Sequence, residues 1–151
     1  MLKNAAEDEG QRKVCEDTID LWSTQLAHEG ALIASYRVEY LDRIRKAASE
    51  VFYDMTGGRE RPDFTYEGSC HYESAEKYLD VKQTEKDLLS LLTHSHAREI
   101  GAGYTLWGPH KDDVGITLNG VCARLFASQG QQRSLSLAMK LTNFILSVRF
   151  V

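Results

Sequence analysis

The feature that most constrains this chain is a helical stripe running from about Glu9 to Met55. Apolar residues recur at Cys15, Ile19, Trp22 and Leu26, and again at Leu41, Ile44, Ala48, Val51 or Phe52, and Met55, which is the spacing of one helix face. At 1.5 Å per residue a continuous helix of that extent is about 70 Å long, more than an ordinary compact domain accommodates and closer to an arm. Gly30 is the weak point at which such a helix could bend or break in two. Thr56-Gly57-Gly58 ends it, and Pro62 stops any continuation. Phe64-Thr65-Tyr66 is rich in strand formers and predicts a short strand near residues 63–67. A second helix, from about Glu73 to His94, brings Leu79, Leu88, Leu89, Leu91 and Leu92 back along the first. The two predict an antiparallel helical arm.

Beyond the arm the pattern changes. Tyr104 to Trp107 and Val114 to Leu118 read as strands, and Asn119-Gly120 reads as a hairpin turn into a strand from Val121 to Phe126. The expected fold class is α+β, with residues 1–98 a helical arm carrying the strand near 63–67, and residues 99–151 a β-hairpin leading to a further helix. That helix opens on Ser128-Gln129-Gly130-Gln131-Gln132-Arg133. Leu137, Leu141, Phe144, Ile145 and Val148 follow at helical spacing and predict its buried face. Ser128 is placed as an N-cap, and Gly130 lets the backbone approach another molecule closely. The first amides of a helix have no intrahelical partner and carry the positive end of its dipole, so a phosphate suits that position. Three glutamines add neutral donors and Arg133 adds a fixed fork, so nothing in the turn repels an anion.

Several classes are disfavoured. The 151 residues carry a formal net charge of -4, without the basic excess that advertises a nucleic-acid-binding domain. Arg43, Arg45 and Lys46 lie beside Glu39, Asp42 and Glu50, a solvated mixed-charge face. Cys15, Cys70 and Cys122 are odd in number and widely spaced, which suggests neither a disulfide framework nor a zinc site. No apolar run reaches the ~20 residues needed to span a bilayer, and no signal-peptide pattern opens the chain. A cytoplasmic location is expected, with no membrane partner. A phosphate loop requires a glycine-rich turn ending in Gly-Lys-Ser/Thr, and the sequence has no Gly-Lys pair. Gly103 and Gly108 have the spacing, but Pro109 stands where the lysine belongs. His110, Asp112 and Asp113, with His94 and His96, leave open a metal-dependent phosphodiesterase. No Ser/His/Asp triad can be assembled from the sequence.

The stretch Gly103-Tyr104-Thr105, Gly108-Pro109-His110-Lys111-Asp112-Asp113, Asn119-Gly120 and Ser128-Gln129-Gly130-Gln131-Gln132-Arg133 resembles, in this order, the motif series of the RecF family of DNA replication and repair proteins, relatives of the SMC and ABC-type ATPases. Lys111 replaces the arginine usual in that family, keeping the charge and losing the planar fork. Leu21-Trp22, Gln25-Leu26, Gly30, Arg37 and Tyr40 extend the resemblance more loosely upstream. The resemblance implies that Ser128 to Arg133 is the signature motif of an ABC-type ATPase head, acting in trans on ATP held by a second RecF-like subunit. It implies that the Ser128 hydroxyl and the Gly130 amide meet the γ-phosphate, that Gln129 and Gln131 shape the turn, and that Gln132 and Arg133 anchor the helix start. The series Gly108 to Asp113 is a family motif to which it assigns no definite role. ATP and magnesium belong, on this reading, to the complete dimeric protein, with none expected bound to this chain alone. DNA would be bound through the complete protein at single-strand gaps and junctions, and RecO/RecR-type recombination mediators are implied partners. The Walker A and Walker B regions are expected outside these residues, making the chain a fragment without ATPase activity of its own. The alternative is a stand-alone helical protein-interaction module.

Overall fold

A computed structural model describes residues 9–148, and the side chains of Cys15 and Val148, both placed in apolar stripes above, lie outside the described residues. Helix α1, Glu9–Met55, is a single 47-residue element. It is followed by strand β1 (Pro62–Glu67), a 3-10 turn at Ala75–Leu79, helix α2 (Val81–Ala102), strands β2 (Asp113–Leu118) and β3 (Val121–Cys122), a one-turn helix α3 (Ala123–Phe126) and helix α4 (Gln129–Val148). The fold is α+β, as expected. Two compact units share the chain. The first combines residues up to Val38 with Glu67–Asp113, and the second combines Glu39–Tyr66 with residues from Val114 onward.

In the first unit α1 and α2 pack antiparallel, with Ser23 beside His96 and His28 beside Glu85. Their contact is made by small residues. Ala27, Ala31 and Ala34 are buried on α1, and Ala27, Leu88 and Leu92 form a cluster against which Leu26, Leu89, Cys70 and Trp107 pack. Gly30 does not break the helix. A Cβ there would stand 2.8 Å from Leu88 Cδ2 and 3.1 Å from Pro109 Cδ, so its missing side chain is what admits Leu88 and the Pro109 ring. Trp22 and Leu79, expected on the buried stripes, are exposed, and so is Met55. The close helix contact selects alanine, serine and glycine, and the larger side chains at neighbouring positions turn outward.

Helix α2 starts at Val81 rather than near Glu73. Asp80 caps it by accepting the Gln83 N–H at 3.1 Å, and Ser74 separately caps the 3-10 turn. It ends at Gly103 in the left-handed conformation, whose N–H donates to the Glu99 carbonyl at 2.8 Å. Tyr104 to Trp107 is not a strand. The Leu106 N–H donates to the buried Glu99 carboxylate at 2.8 Å and the His110 ring lies 3.1 Å from the Thr105 carbonyl, so side chains replace the ladder that a strand would need.

The second unit holds a three-stranded sheet in the order β1-β2-β3. Along β1 burial alternates strictly, with Pro62, Phe64 and Tyr66 inward, the period-2 signature of a half-buried strand. β2 and β3 pair antiparallel with Thr117 opposite Cys122 and Leu118 opposite Val121, joined by Asn119-Gly120 at φ 49° and 83°, a two-residue hairpin turn with positive φ at both positions. The expected strand to Phe126 stops at Cys122, because the chain coils into α3, where the Ala127 N–H donates to the Ala123 carbonyl at 3.0 Å. On α4 the buried positions are Leu135, Ala138 and Thr142, whereas Leu137, Leu141, Phe144 and Ile145, predicted to be inward, are exposed. Both sets have helical spacing, and the set that pairs Leu135 with the smaller Ala138 and Thr142 took the interior.

Candidate functional site

The turn Ser128–Arg133 opens α4 through a reciprocal cap. The Ser128 N–H donates to Gln131 Oε1 at 2.7 Å, and the Gln131 N–H donates to Ser128 Oγ at 3.3 Å. This is a capping box, Ser-x-x-Gln, which satisfies two backbone donors with two side chains. The Gln132 N–H closes the first helical bond on the Ser128 carbonyl at 3.0 Å, and the Gln132 side-chain amide donates back to the Ala127 carbonyl at 3.0 Å. Intrahelical geometry provides no partner for the amides of Gln129 and Gly130. Ser128 Oγ serves the cap as an acceptor, so its own proton is not consumed by it. A Cβ on Gly130 would meet only Ser128 Oγ, at 3.9 Å, which leaves the approach to the backbone open. Alongside, Gln129, Gln132, Arg133, Ser136, Leu137 and Lys140 line an open groove of about 580 Å³. Two cations and no carboxylate line it.

The series Gly108 to Asp113 forms a different structure, in the first unit. Asp112 is its hub, with its carboxylate almost wholly buried. Its Oδ1 accepts the Ser69 N–H at 2.8 Å and lies 2.9 Å from Ser69 Oγ, and its Oδ2 lies 3.6 Å from the Arg37 guanidinium. Arg37 also donates to the Pro109 carbonyl. Ser69 Oγ accepts the Gly108 N–H at 2.9 Å. Gly108 is buried with φ 128°, a conformation essentially reserved for glycine. Lys111 extends over the Tyr104 ring, 5.0 Å from its centre. The motif therefore fastens three separate stretches of chain, around residues 37, 69 and 108–112.

That geometry disperses the candidate metal ligands. Asp112 is committed to Ser69 and Arg37, and His110 to Thr105. His94 turns to the Ser90 carbonyl at 2.6 Å. Among the described residues no group of three His, Cys, Asp or Glu side chains is gathered to hold a metal. One arrangement has the order of a hydrolase triad. Ser23 Oγ lies 2.9 Å from His96 Nε2, and His96 Nδ1 lies 3.5 Å from Asp20 Oδ1. Ser23, however, is buried in the middle of α1, where the neighbouring amides serve the helix, so no donors converge to stabilise an oxyanion.

Beside the Asp112 hub lies a second polar group. The Tyr72 hydroxyl donates to Asp87 at 2.6 Å and Gln83 donates to the other oxygen at 2.8 Å, and these bonds hold the Asp87 carboxyl below its usual range. Burial, reinforced by the Asp87 and Asp112 charges, pushes the Cys70 thiol up to about 11 against the opposing pull of the Tyr72 hydroxyl. Burial likewise pushes Tyr78 up to about 12. A thiol so shifted is protonated at neutral pH and unreactive.

Sequence reading found the glutamine turn and the Gly108 motif but missed Ser69 and Glu60, whose side chain accepts from Gln131 Nε2 at 2.6 Å. Those partners lie 43 and 71 residues away along the chain, and no local pattern marks them.

The α+β fold, mainly helical with a small three-stranded sheet, is similar to that of a RecF ABC-type ATPase structure. No protein-family model matches the chain. The DNA replication and repair protein RecF of Clostridium acetobutylicum is 35% identical to it over 124 residues, covering 82% of this chain and 32% of that protein. The RecF of Halothermothrix orenii is 36% identical over 123 residues, with the same coverage. Among solved structures, the recombination mediator protein RecF-ATPrS in the RecFOR pathway superposes with a TM-score of 0.77 at 28% identity, covering 84% of this chain and 33% of that one. The corresponding RecF-ATP structure gives 0.72 at 27%, covering 86% and 35%. Over these residues the chain belongs to the RecF family. It spans about a third of the length of the curated relatives it matches. Among the described residues no helix is long and apolar enough to cross a membrane.

Proposed function

We propose that this chain is the arm and signature-motif segment of a RecF-like DNA replication and repair protein, in which Ser128–Arg133 closes in trans over ATP held by a second subunit. The observation that carries the reading is the reciprocal cap between Ser128 and Gln131, which orders the turn while leaving the Ser128 hydroxyl proton and the first-turn amides for an anion. The residues present fit a phosphate. The Gly130 backbone is open to close approach, and the groove beside it carries Arg133 and Lys140 without a carboxylate. When bound, magnesium-ATP supplies the charge that bridges two subunits and the hydrolysis that releases them. Ser128 and the Gly130 amide would hold its terminal phosphate and Arg133 and Lys140 would add positive potential, while Gln131 and Gln132 hold the turn in place.

The sequence has no Gly-Lys pair, so the phosphate loop and the hydrolytic residues are assigned to the complementary head. Residues 1–98 then belong to the arm and residues 99–151 to the head. Gly108 to Asp113 is assigned a structural role, anchoring α1 to the loops around Ser69 and Pro109. DNA binding, RecO/RecR-type mediators as partners and a cytoplasmic location complete the reading. A stand-alone interaction module is the second reading, favoured by the exposed Trp22, Ile33 and Tyr36 on α1. It predicts partner binding with no response to nucleotide.

The test joins this chain to a RecF head carrying a phosphate loop and follows ATP-dependent dimerisation by sedimentation. Ser128→Ala is expected to weaken that dimerisation by at least about tenfold, the loss of one charge-assisted hydrogen bond. Unchanged dimerisation in the doubly substituted Ser128→Ala, Gln131→Ala protein overturns the signature assignment.

A further inference from the structure

The capping box needs Gln131 in one orientation. Its Oε1 must face the Ser128 N–H, because the flipped amide would set Nε2 against that N–H, donor against donor. Within the turn only the Ser128 N–H favours that choice. Glu60 adds the second constraint from outside the turn, since a carboxylate is acceptor-only and accepts the hydrogen bond from Gln131 Nε2 at 2.6 Å. One orientation alone satisfies both the Ser128 amide and the Glu60 carboxylate.

Glu60 is itself held. It lies in the segment after α1, where Asn119 grips both neighbours: Asn119 Oδ1 accepts the Arg61 N–H at 3.0 Å, the Asn119 N–H donates to the Arg61 carbonyl at 2.9 Å, and Asn119 Nδ2 donates to the Arg59 carbonyl at 3.4 Å. The Arg61 guanidinium sits 4.0 Å from the centre of the Tyr53 ring, near the end of α1. The segment is thus pinned by the hairpin turn on one side and by α1 on the other, and from it one carboxylate reaches the glutamine turn.

We propose that Glu60 is a positioning residue of the Ser128–Arg133 turn, acting through Gln131 and coupling that turn to the end of α1. As a statement about ATP engagement this rests on the signature reading above. The carboxylate selects the Gln131 amide orientation, Gln131 then holds the Ser128 amide, and Ser128 keeps its hydroxyl proton for a ligand. Any displacement of the Arg59–Arg61 segment moves the acceptor and loosens the cap, and by linkage a ligand that orders the cap favours the pinned segment.

Amide hydrogen exchange on the 151-residue chain tests the positioning directly. In Glu60→Ala the Ser128 N–H and the Gln131 side-chain N–H protons are expected to exchange at least about tenfold faster, with protection at Leu118 and Ala138 unchanged. Glu60→Gln, which can present its own Oε1 to Gln131, is expected to restore wild-type protection, and Glu60→Lys, which presents only donors, is not. Unchanged exchange at Ser128 in Glu60→Ala, failure of Glu60→Gln to restore it, or acceleration spread evenly through the unit would each overturn the proposal. In the protein joined to a phosphate-loop head, Glu60→Ala should raise the ATP concentration needed for dimerisation by about tenfold, leave ATP binding at the phosphate loop unchanged, and be rescued by Glu60→Gln. If Ser128→Ala leaves dimerisation intact while the exchange results hold, the signature reading fails and the positioning role of Glu60 stands.

Discussion

Gly30→Ala puts the helix contact in the first unit to a direct test. The added methyl would stand 2.8 Å from Leu88 Cδ2 and 3.1 Å from Pro109 Cδ. Leu88 is 3% exposed and seated against Ala27 and Leu92, so rotating its Cδ2 away sacrifices packing, and the Pro109 ring behind it is stiff. Overpacking a close-packed site costs about 1–3 kcal/mol. Replacing a mid-helix glycine by alanine returns about 0.8–1 kcal/mol of propensity. The net expectation runs from neutral to a loss of about 2 kcal/mol, read as a urea midpoint unchanged or lowered with unchanged slope. Gly101 provides the control, since it lies in α2 with nothing within 4 Å of its notional Cβ. There the same substitution keeps only the propensity gain and is expected to stabilise by up to about 1 kcal/mol. Leu88→Ala completes a cycle. In that background Gly30→Ala should be markedly less destabilising, because Leu88 Cδ2 is gone and only the Pro109 ring remains in close contact. Stabilisation by Gly30→Ala in the wild-type chain, matching that of Gly101→Ala, would refute the close-contact account.

Two further outcomes follow from the Asp112 hub and its neighbour. Asp112→Ala strands the Ser69 N–H, while the Ser69 hydroxyl keeps the Gly108 carbonyl, and should cost about 1–3 kcal/mol in chemical denaturation, whereas Lys111→Arg, which restores the arginine usual in the family at an exposed site, should stay within about 0.5 kcal/mol. Because the folded state holds Cys70 protonated to about 11 and an unfolded thiol ionises near 9.0, the unfolded chain binds fewer protons between those values, and stability must fall as pH rises through that window. Cys70→Ala should flatten the decline, and peptide mapping after thiol labelling at pH 8 should find Cys122 modified well before Cys70; equal labelling would contradict the burial account.

The sequence carried the local physics well and the distant pairings poorly. The α1 helix, the strand around Phe64, the Asn119-Gly120 turn and the Ser128 cap each depend on residues a few positions apart, and each appears in the structure, though Trp22 and Met55 of the expected α1 stripe face outward. Which face of α4 turns inward was not legible, since two interleaved sets of residues share the same period and only packing chooses between them. Gly30 read as a break because its neighbour Pro109 is 79 positions away. The Gly108 motif resembled a candidate metal centre because the commitments of Asp112 to Ser69 and Arg37 cannot be seen until the chain is folded. The candidate turn was legible as a motif, whereas Glu60, on which its orientation is proposed to depend, carried no signal of its own.

Helix α1 has a consequence for how this molecule can be cut. The division between the two units falls at Val38–Glu39, within the helix, and each unit also draws on a second stretch of chain farther along. No single cleavage or truncation point separates the two units intact. A cut near residue 66 leaves both units without their later stretches, and one near residue 113 still deprives the second of β2, β3 and α4. Deletion from residue 114 onward leaves the first unit both of its stretches, and deletion through Val38 leaves the second both of its own, so a library of terminal deletions should lose one unit at a time, whereas no single cut should release the two together as intact fragments.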